Sequence, residues 1–168
     1  MSDQELPKSP IINVDQAEFM EWGAGGRFQA QFGPLSAAVG AEKMGFNLTK
    51  LAPGKTAWPY HLHHNNEELF VILEGNGKLR YNGEEYPLRP GDLVCCPPGP
   101  NSAHQISNDS DAELTYLAIS TKLSPEVAQY PDSGKTLVMV GHPMGEMLVR
   151  RVIPEGVDVD YWDGEDID

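Results

Sequence analysis

The chain has 168 residues, with 25 acidic and 12 basic side chains, a formal net charge of −13, two cysteines and five histidines. A hydrophobic fraction of 40% at this length predicts one folded domain and excludes a disordered chain. The acidic balance disfavours a nucleic acid partner, because phosphate binding needs clustered lysine and arginine. No segment approaches the roughly 20 apolar residues of a membrane span, and residues 1–10 lack a signal-peptide pattern. A soluble, cytoplasmic protein with no membrane partner is therefore expected.

The negative charge is concentrated at the C-terminus. Residues 152–168 hold seven of the 25 acids and no base, so the rest of the chain is only mildly acidic. Within this tail, Val157, Val159 and Tyr161 alternate with aspartates, which predicts a half-buried edge strand before a frayed end. The charge therefore says little about a ligand.

The chain reads as an all-β protein, because glycine and proline divide it into short segments rich in β-branched and aromatic residues. Strands are predicted over residues 46–51, 57–63, 68–73, 78–81, 84–88, 92–96, 103–107 and 114–120. The pair Asn82-Gly83 predicts a type I′ hairpin turn, and Pro90-Gly91 predicts a second turn.

A single domain spanning residues 1–168 is expected, with a barrel core over about residues 40–120. Residues 1–39 form an N-terminal extension, with a short helical turn predicted at 18–22. Residues 121–168 form a C-terminal extension that ends in the acidic tail and contains a possible hairpin of residues 136–140 with 147–152. The adjacent Cys95 and Cys96 are interpreted as strand residues in a reduced compartment, and His142 as a loop residue.

Three of the five histidines fall within residues 61–64. On a strand, side chains alternate between faces, so His61 and His63 share one face and His64 does not. Glu68 opens the next predicted strand and brings a carboxylate beside them. Two imidazoles and a carboxylate on neighbouring strands are suitable ligands for a divalent transition metal. His104 follows a loop rich in proline and glycine and could reach the same interior.

Two spaced motifs extend this pattern. In the first, His61, His63, Glu68 and Gly75 fit the pattern G-x5-H-x-H-x3,4-E-x6-G, while Gly54 stands one residue too far upstream. In the second, Gly91, Pro97, Gly99, His104 and Asn108 fit G-x5-P-x-G-x2-H-x3-N, except that four residues separate Gly99 from His104.

With these two motifs the sequence resembles the cupin superfamily. The resemblance implies a double-stranded β-helix, which is a small jelly-roll barrel, with N- and C-terminal extensions. It also implies one divalent transition metal bound by His61, His63, Glu68 and His104. Three imidazoles and a carboxylate suit iron, manganese, nickel, zinc and copper alike, so the metal stays open.

Strand parity predicts an apolar pocket beside these ligands. The residues that share the inward face are Ala57, Pro59, Phe70, Ile72 and Ile106, joined by Tyr116 if its parity is favourable. These faces carry no further acid or base, so no catalytic residue is assigned. The candidates from elsewhere are Tyr116, Asn47, Thr49 and Arg80.

The leading functional hypothesis is a metal-dependent enzyme acting on a small polar molecule. Within cupins this covers sugar-phosphate isomerases or epimerases and iron-dependent dioxygenases. An isomerase needs cations for the phosphate, and Lys50, Lys55 and Arg80 are the nearest in sequence. A dioxygenase needs chiefly a redox metal and a dry, apolar pocket. A non-catalytic module that binds a small ligand or metal is the other alternative. Small cupins are often homodimers, and a homodimer is expected here.

Overall fold

A computed structural model describes residues 9–141 and 146–166, and His142 lies outside these ranges. The described residues are mostly β-structure, as the sequence predicts. The strands are β1 (Met20–Gly25), β2 (Phe28–Pro34), β3 (Met44–Leu51), β4 (Leu62–His63), β5 (Glu68–Glu74), β6 (Gly77–Tyr81), β7 (Glu84–Leu88), β8 (Leu93–Cys96), β9 (His104–Ser107), β10 (Leu114–Thr121), β11 (Glu126–Tyr130), β12 (Lys135–Gly141) and β13 (Met147–Pro154). Short 3-10 turns occupy Val14–Gln16, Ser36–Val39 and Pro131–Ser133.

The strands form two layers around one core. One layer is a six-stranded antiparallel sheet in the order β1-β2-β3-β10-β5-β8. The other combines the sheets β7-β6-β9 and β13-β12-β11-β4, which are joined where the backbones of His61 and His104 exchange hydrogen bonds of 3.1 and 2.7 Å. This arrangement confirms the predicted jelly-roll class.

Apolar side chains from both layers fill the space between them. Leu51 and Leu114 from the six-stranded sheet pack in one cluster with Leu79 and Ile106 from the opposite layer. Removing this apolar surface from water is the main stabilising contribution to such a core. Phe70 belongs to this cluster, and its ring lies 5.6 Å from that of His104, so the core reaches the histidines.

Two predictions of secondary structure were wrong. Residues 57–63 form a strand only at Leu62–His63, because Pro59 has no N–H to donate to a neighbouring strand. On either side of Pro59, Thr56 and His61 make only isolated bridges. The helical turn predicted at 18–22 is replaced by β1, which pairs with β2 and places Trp22 against Trp58 at 4.6 Å between ring centroids. Strands β1, β2 and β11 were not predicted.

The prediction of a half-buried strand in the acidic tail was also wrong. Val157, Val159 and Tyr161 are 63%, 71% and 83% exposed. Strand β13 ends at Pro154, and Gly156 takes a positive φ of 77°, so the chain turns away from the sheet edge. Among the described residues, no helix is long and apolar enough to cross a membrane.

Two glycines that follow strands show why the turns need glycine. Gly75, at the end of the first motif, has φ 76°, and a Cβ placed there would overlap the carbonyl oxygen of Glu113. Gly83 has φ 88° in the type I′ turn with Asn82, but a Cβ there would meet open space. Both residues adopt a left-handed backbone, and only at Gly75 is there also no space for a Cβ atom.

Gly75→Ala should therefore destabilise the fold more than Gly83→Ala. The left-handed backbone alone costs a non-glycine residue about 1–2 kcal/mol, which is the loss expected for Gly83→Ala. The overlap with the backbone of Glu113 should add about 1–3 kcal/mol at Gly75. Urea unfolding of both variants measures the difference, and equal losses would contradict this account of Gly75.

Candidate metal centre

Three imidazoles point at one carboxylate oxygen inside the barrel. The Nε2 atoms of His104, His63 and His61 lie 2.9, 3.2 and 3.6 Å from Oε2 of Glu68. The four side chains proposed as ligands from the sequence thus converge on one point. Glu67, the neighbouring acid, faces the other way and accepts a hydrogen bond from the Cys95 thiol.

The opposite nitrogen of two of these rings faces a backbone carbonyl. His61 Nδ1 lies 2.8 Å from the Pro59 oxygen, and His104 Nδ1 lies 2.8 Å from the Ser102 oxygen. A carbonyl can only accept a hydrogen bond, so it favours the proton on Nδ1. When a metal takes the place of the proton that Nε2 shares with Glu68, the Nε2 lone pair is directed at the interior, which is the arrangement that a metal ligand requires.

Local backbone contacts explain why these side chains meet. His61 and His104 are held side by side by their own backbone pair. The loop before His104 is two residues longer than the motif, but it is fixed at Gly99, whose N–H donates to the His63 oxygen at 2.8 Å and whose carbonyl accepts from Ser102 Oγ at 2.7 Å. The longer loop therefore still delivers His104 to the other ligands.

The site is buried and strongly coupled. Burial acts to raise the pKa of Glu68, but hydrogen bonds from His104, His61 and His63 outweigh it and hold that pKa well below its usual range. Burial lowers the pKa of His61, which keeps this ring neutral. Burial also lowers the pKa of His63, but the carboxylates of Glu126 and Glu68 outweigh it and raise that pKa to about 10.

These residues fit a divalent transition metal. The ligand atoms of His61, Glu68 and His104 all lie within 4.8 Å of one another, and His63 Nε2 shares the same carboxylate oxygen. Nitrogen and oxygen donors of this kind are typical of iron, manganese, nickel, copper and zinc sites. The donor set alone leaves the choice among these metals open.

Strand β11 contributes two residues that the sequence analysis did not single out. Glu126 Oε2 lies 3.7 Å from His63 Nδ1. The ring of Tyr130 stacks on that of His61, with 5.9 Å between centroids. Both residues face the site because β11 pairs with β4, which carries His63. The two strands are more than 60 residues apart in sequence. The only local signal is the short run E-V-A-Q-Y, which is too brief to establish a strand by itself.

The residues predicted to line the pocket are mostly packed into the core. Phe70 contacts both His104 and Tyr116, with ring centroids 5.6 and 5.9 Å apart. Tyr116 lies opposite Ile72 and so shares the inward face. The buried core cluster includes Ala57, Phe70, Ile72, Ile106 and Tyr116. Pro59 is only partly buried and contributes its carbonyl to His61.

The inward face of the barrel strands is less apolar than the alternation of side chains along the sequence predicted. Thr49 lies opposite Tyr116 and donates a hydrogen bond of 2.8 Å to Asn47. Burial raises the pKa of Tyr116, which keeps its phenol protonated. Arg80, another candidate, is paired with Asp132 at 2.7 Å and lies 3.7 Å from the centre of the Tyr60 ring.

Comparison with known proteins identifies related chains. A family model described as "Cupin domain" matches residues 47–120. The crystal structure of a putative sugar phosphate isomerase from Acidithiobacillus ferrooxidans is 30% identical, with a TM-score of 0.75, over 89% of this chain and 96% of that one. A sugar phosphate isomerase from a cupin superfamily, from Silicibacter pomeroyi, is 26% identical, with a TM-score of 0.74, over 90% of this chain and 98% of that one.

Curated relatives match over shorter segments. An oxalate-binding protein from Thermotoga maritima is 32% identical over 74 residues, which are 44% of this chain and 59% of that protein. The chain spans about half the length of the curated relatives that it matches first. The two solved structures, in contrast, are matched over almost their whole length.

The pH dependence of metal binding follows from His63. Because its pKa is raised to about 10 from 6.5, its proton stabilises the metal-free fold fully below pH 6.5, and this stabilisation is lost as pH rises through 10. A metal must displace that proton, so the apparent affinity for Zn²⁺ should increase as pH rises towards 10, and each binding event below that pH should release a proton. Calorimetry in buffers of different ionisation enthalpy measures both, and an affinity independent of pH would contradict the prediction.

Proposed function

The chain belongs to the cupin superfamily, and from this premise we propose that it is a metal-dependent enzyme that isomerises or epimerises a small phosphorylated sugar. The observation that carries the proposal is the convergence of three imidazole Nε2 atoms on Glu68. His61, His63, Glu68 and His104 would hold the metal. A divalent metal held there supplies a Lewis acid for a substrate oxygen.

An isomerase of this kind needs cations for the phosphate, and strands β12 and β13 offer two near the site. Tyr130 on β11 lies directly opposite Lys135 on β12. Met139 on β12 lies between Glu126 on β11 and Arg150 on β13. All of these side chains share one face of the sheet. Lys135 Nζ lies 5.2 Å from the centre of the Tyr130 ring. Arg150 is exposed and close enough to influence the pKa of Tyr130. Together they favour a substrate with an anionic group.

The cations favoured by sequence proximity have other partners. Lys50 pairs with Glu113 at 3.5 Å, Lys55 donates to the Gly26 carbonyl at 2.7 Å, and Arg80 is held by Asp132. These residues support strand and loop contacts. Arg150 and Lys135 therefore replace them in the proposal as the phosphate-binding residues.

Tyr130 is the proposed hydrogen-bond donor to the sugar. Its ring stacks on His61, a proposed ligand, so its phenol lies at the edge of the metal centre. Burial raises the pKa of Tyr130, while Arg150 and Glu68 act on it in opposite directions. A phenol that stays protonated at neutral pH can donate a hydrogen bond to a sugar oxygen and exclude water from one side of the site.

Two alternative functions are an iron-dependent dioxygenase and a non-catalytic binding module. Phe70 and the apolar core beneath the histidines favour an iron-dependent dioxygenase as the second candidate, because such chemistry needs a dry surround. A metal-loaded protein that binds small anions without turnover would instead be a non-catalytic module.

We also propose that the chain forms a homodimer in the cytoplasm. Strands β1 and β13 are the outer strands of their sheets. Both expose apolar side chains, including Met20, Trp22, Val152 and Ile153. Pairing with a second copy would cover such edges. Two free cysteines, one of them exposed on β8, suit a reducing compartment.

Metal content tests the ligand assignment. The protein purified without chelator should hold about one divalent metal per chain, and His61→Ala or His104→Ala should weaken binding more than about 100-fold, because losing a ligand exceeds the 10–100-fold cost of losing an outer partner. His64→Ala is the matched control, since its Nε2 is bonded to Gln129 at 2.9 Å away from the centre. Stoichiometric metal in either ligand variant, measured by plasma mass spectrometry, would refute the site.

Isomerase activity is tested with pentose and hexose phosphates in D2O, where proton NMR detects exchange at the carbon next to the carbonyl. Arg150→Gln should raise KM for a phosphorylated substrate at least about tenfold, since a charged hydrogen bond contributes about 1.5–3 kcal/mol, with a smaller change in kcat. Arg151→Gln is the matched control, because Arg151 lies opposite Val138 on the other face. No exchange with any sugar phosphate, or equal effects of the two variants, would contradict the assignment.

A further inference from the structure

The buried carboxylate of Glu126 lies beside the proposed metal ligands, although it belongs to the C-terminal extension. Glu126 opens β11 and is 5% exposed. Its oxygens accept hydrogen bonds from three consecutive backbone N–H groups, those of His64 at 3.2 Å, Asn65 at 3.3 Å and Asn66 at 2.8 Å. The side-chain amide of Asn66 donates to the same carboxylate. A buried charge with this many donors is fully compensated.

These bonds fix the turn that separates two of the proposed ligands. Residues 64–66 connect His63 at the end of β4 to the start of β5 at Glu68. Asn66 is fixed further by the backbone N–H of Leu123 at 2.6 Å and the hydroxyl of Thr121 at 2.8 Å, which both donate to its side-chain oxygen. The distance between His63 and Glu68 is therefore set by a segment that starts at residue 121.

Glu126 also faces the nitrogen of His63 that points away from the centre. His63 Nδ1 is buried and has no hydrogen-bond partner within the described structure, and its nearest carboxylate oxygen is Oε2 of Glu126 at 3.7 Å. The equivalent nitrogens of His61 and His104 each face a carbonyl oxygen at 2.8 Å. Behind His61 and His104 the nearest oxygen is thus a hydrogen-bonded carbonyl, whereas behind His63 it is a negatively charged carboxylate oxygen beyond hydrogen-bond distance.

We propose that Glu126 is a positioning residue for the metal centre: it holds the turn between His63 and Glu68 and keeps the proton of His63 on Nδ1, which leaves the Nε2 lone pair for the metal. This inference rests on the proposed metal-binding function. Glu126 does not act as a ligand, because its oxygens are engaged by the donors of residues 64–66.

The test is the affinity for Zn²⁺ alone, measured at pH 7 on the full chain. Glu126→Gln keeps a side-chain oxygen for the turn but removes the charge behind His63, and it allows an amide N–H to face that nitrogen. The affinity should fall about 10–100-fold, as it does when an outer partner of a ligating histidine is lost. Glu126→Asp, which keeps the charge, should recover part of the affinity. Glu67→Gln is the matched control, because Glu67 contacts the exposed Cys95 and faces away from the centre.

A double-mutant cycle separates positioning from a general loss of stability. If Glu126 acts through His63, then Glu126→Gln should have little further effect on Zn²⁺ affinity in a His63→Ala background. Additive losses, or an unchanged affinity in Glu126→Gln when wild-type protein binds zinc, would overturn the inference and leave the metal site intact. Absence of zinc binding by the wild-type protein would instead refute the proposed function on which the inference rests.

Should Glu126→Gln fail to fold, imidazole nitrogen NMR of zinc-loaded wild-type protein decides the question. A His63 ring with its proton on Nδ1 and its metal on Nε2 supports the proposal. Coordination through Nδ1, or a His63 ring that does not bind zinc, overturns it.

Discussion

The architecture of the site depends on one buried charge. Glu68 is held ionised inside the barrel, where an isolated carboxylate would be costly. Three imidazoles within 3.6 Å of one of its oxygens compensate that charge, and in the absence of a metal the proton on His63 provides the positive charge. A divalent cation would also compensate the negative charge of Glu68, with two positive charges and a defined ligand geometry. The requirement to compensate the charge of Glu68 therefore accounts for the grouping of these donors.

Each donor is held from behind by an oxygen supplied by a different part of the chain. The carbonyls of Pro59 and Ser102 orient His61 and His104 through short local contacts within two residues. His63 has no such local carbonyl and depends on Glu126, more than 60 residues along the chain. The extension after the barrel strands is thus part of the centre. It also carries Tyr130, Lys135 and Arg150, so the proposed function assigns both ligand orientation and recognition of substrate charge to the sheet of β11 to β13.

The sequence predicted the features that depend on the alternation of side chains along a strand and on the spacing of residues in a motif. Parity placed His61 and His63 on one face, and Asn82-Gly83 marked a turn whose residues do take positive φ. Tertiary contacts decided the rest. Strand β11 is a five-residue run that pairs with β12 next to it in sequence, but only its pairing with the distant, two-residue β4 brings it to the site, and that pairing could not be inferred from the run. For the same reason proximity in sequence favoured Arg80 as a cation for the phosphate, whereas the fold gives Arg80 to Asp132 and brings Arg150 towards Tyr130.

The central claim is that the four side chains form one metal centre through the Nε2 atoms of the histidines. The most direct measurement is anomalous diffraction from crystals of the full chain grown with Mn²⁺ or Zn²⁺ and without chelator. The account predicts one strong peak per chain, about 2.0–2.2 Å from each Nε2 and from an oxygen of Glu68. A peak at another place, coordination through Nδ1 of His61 or His104, or no peak at saturating metal would contradict it.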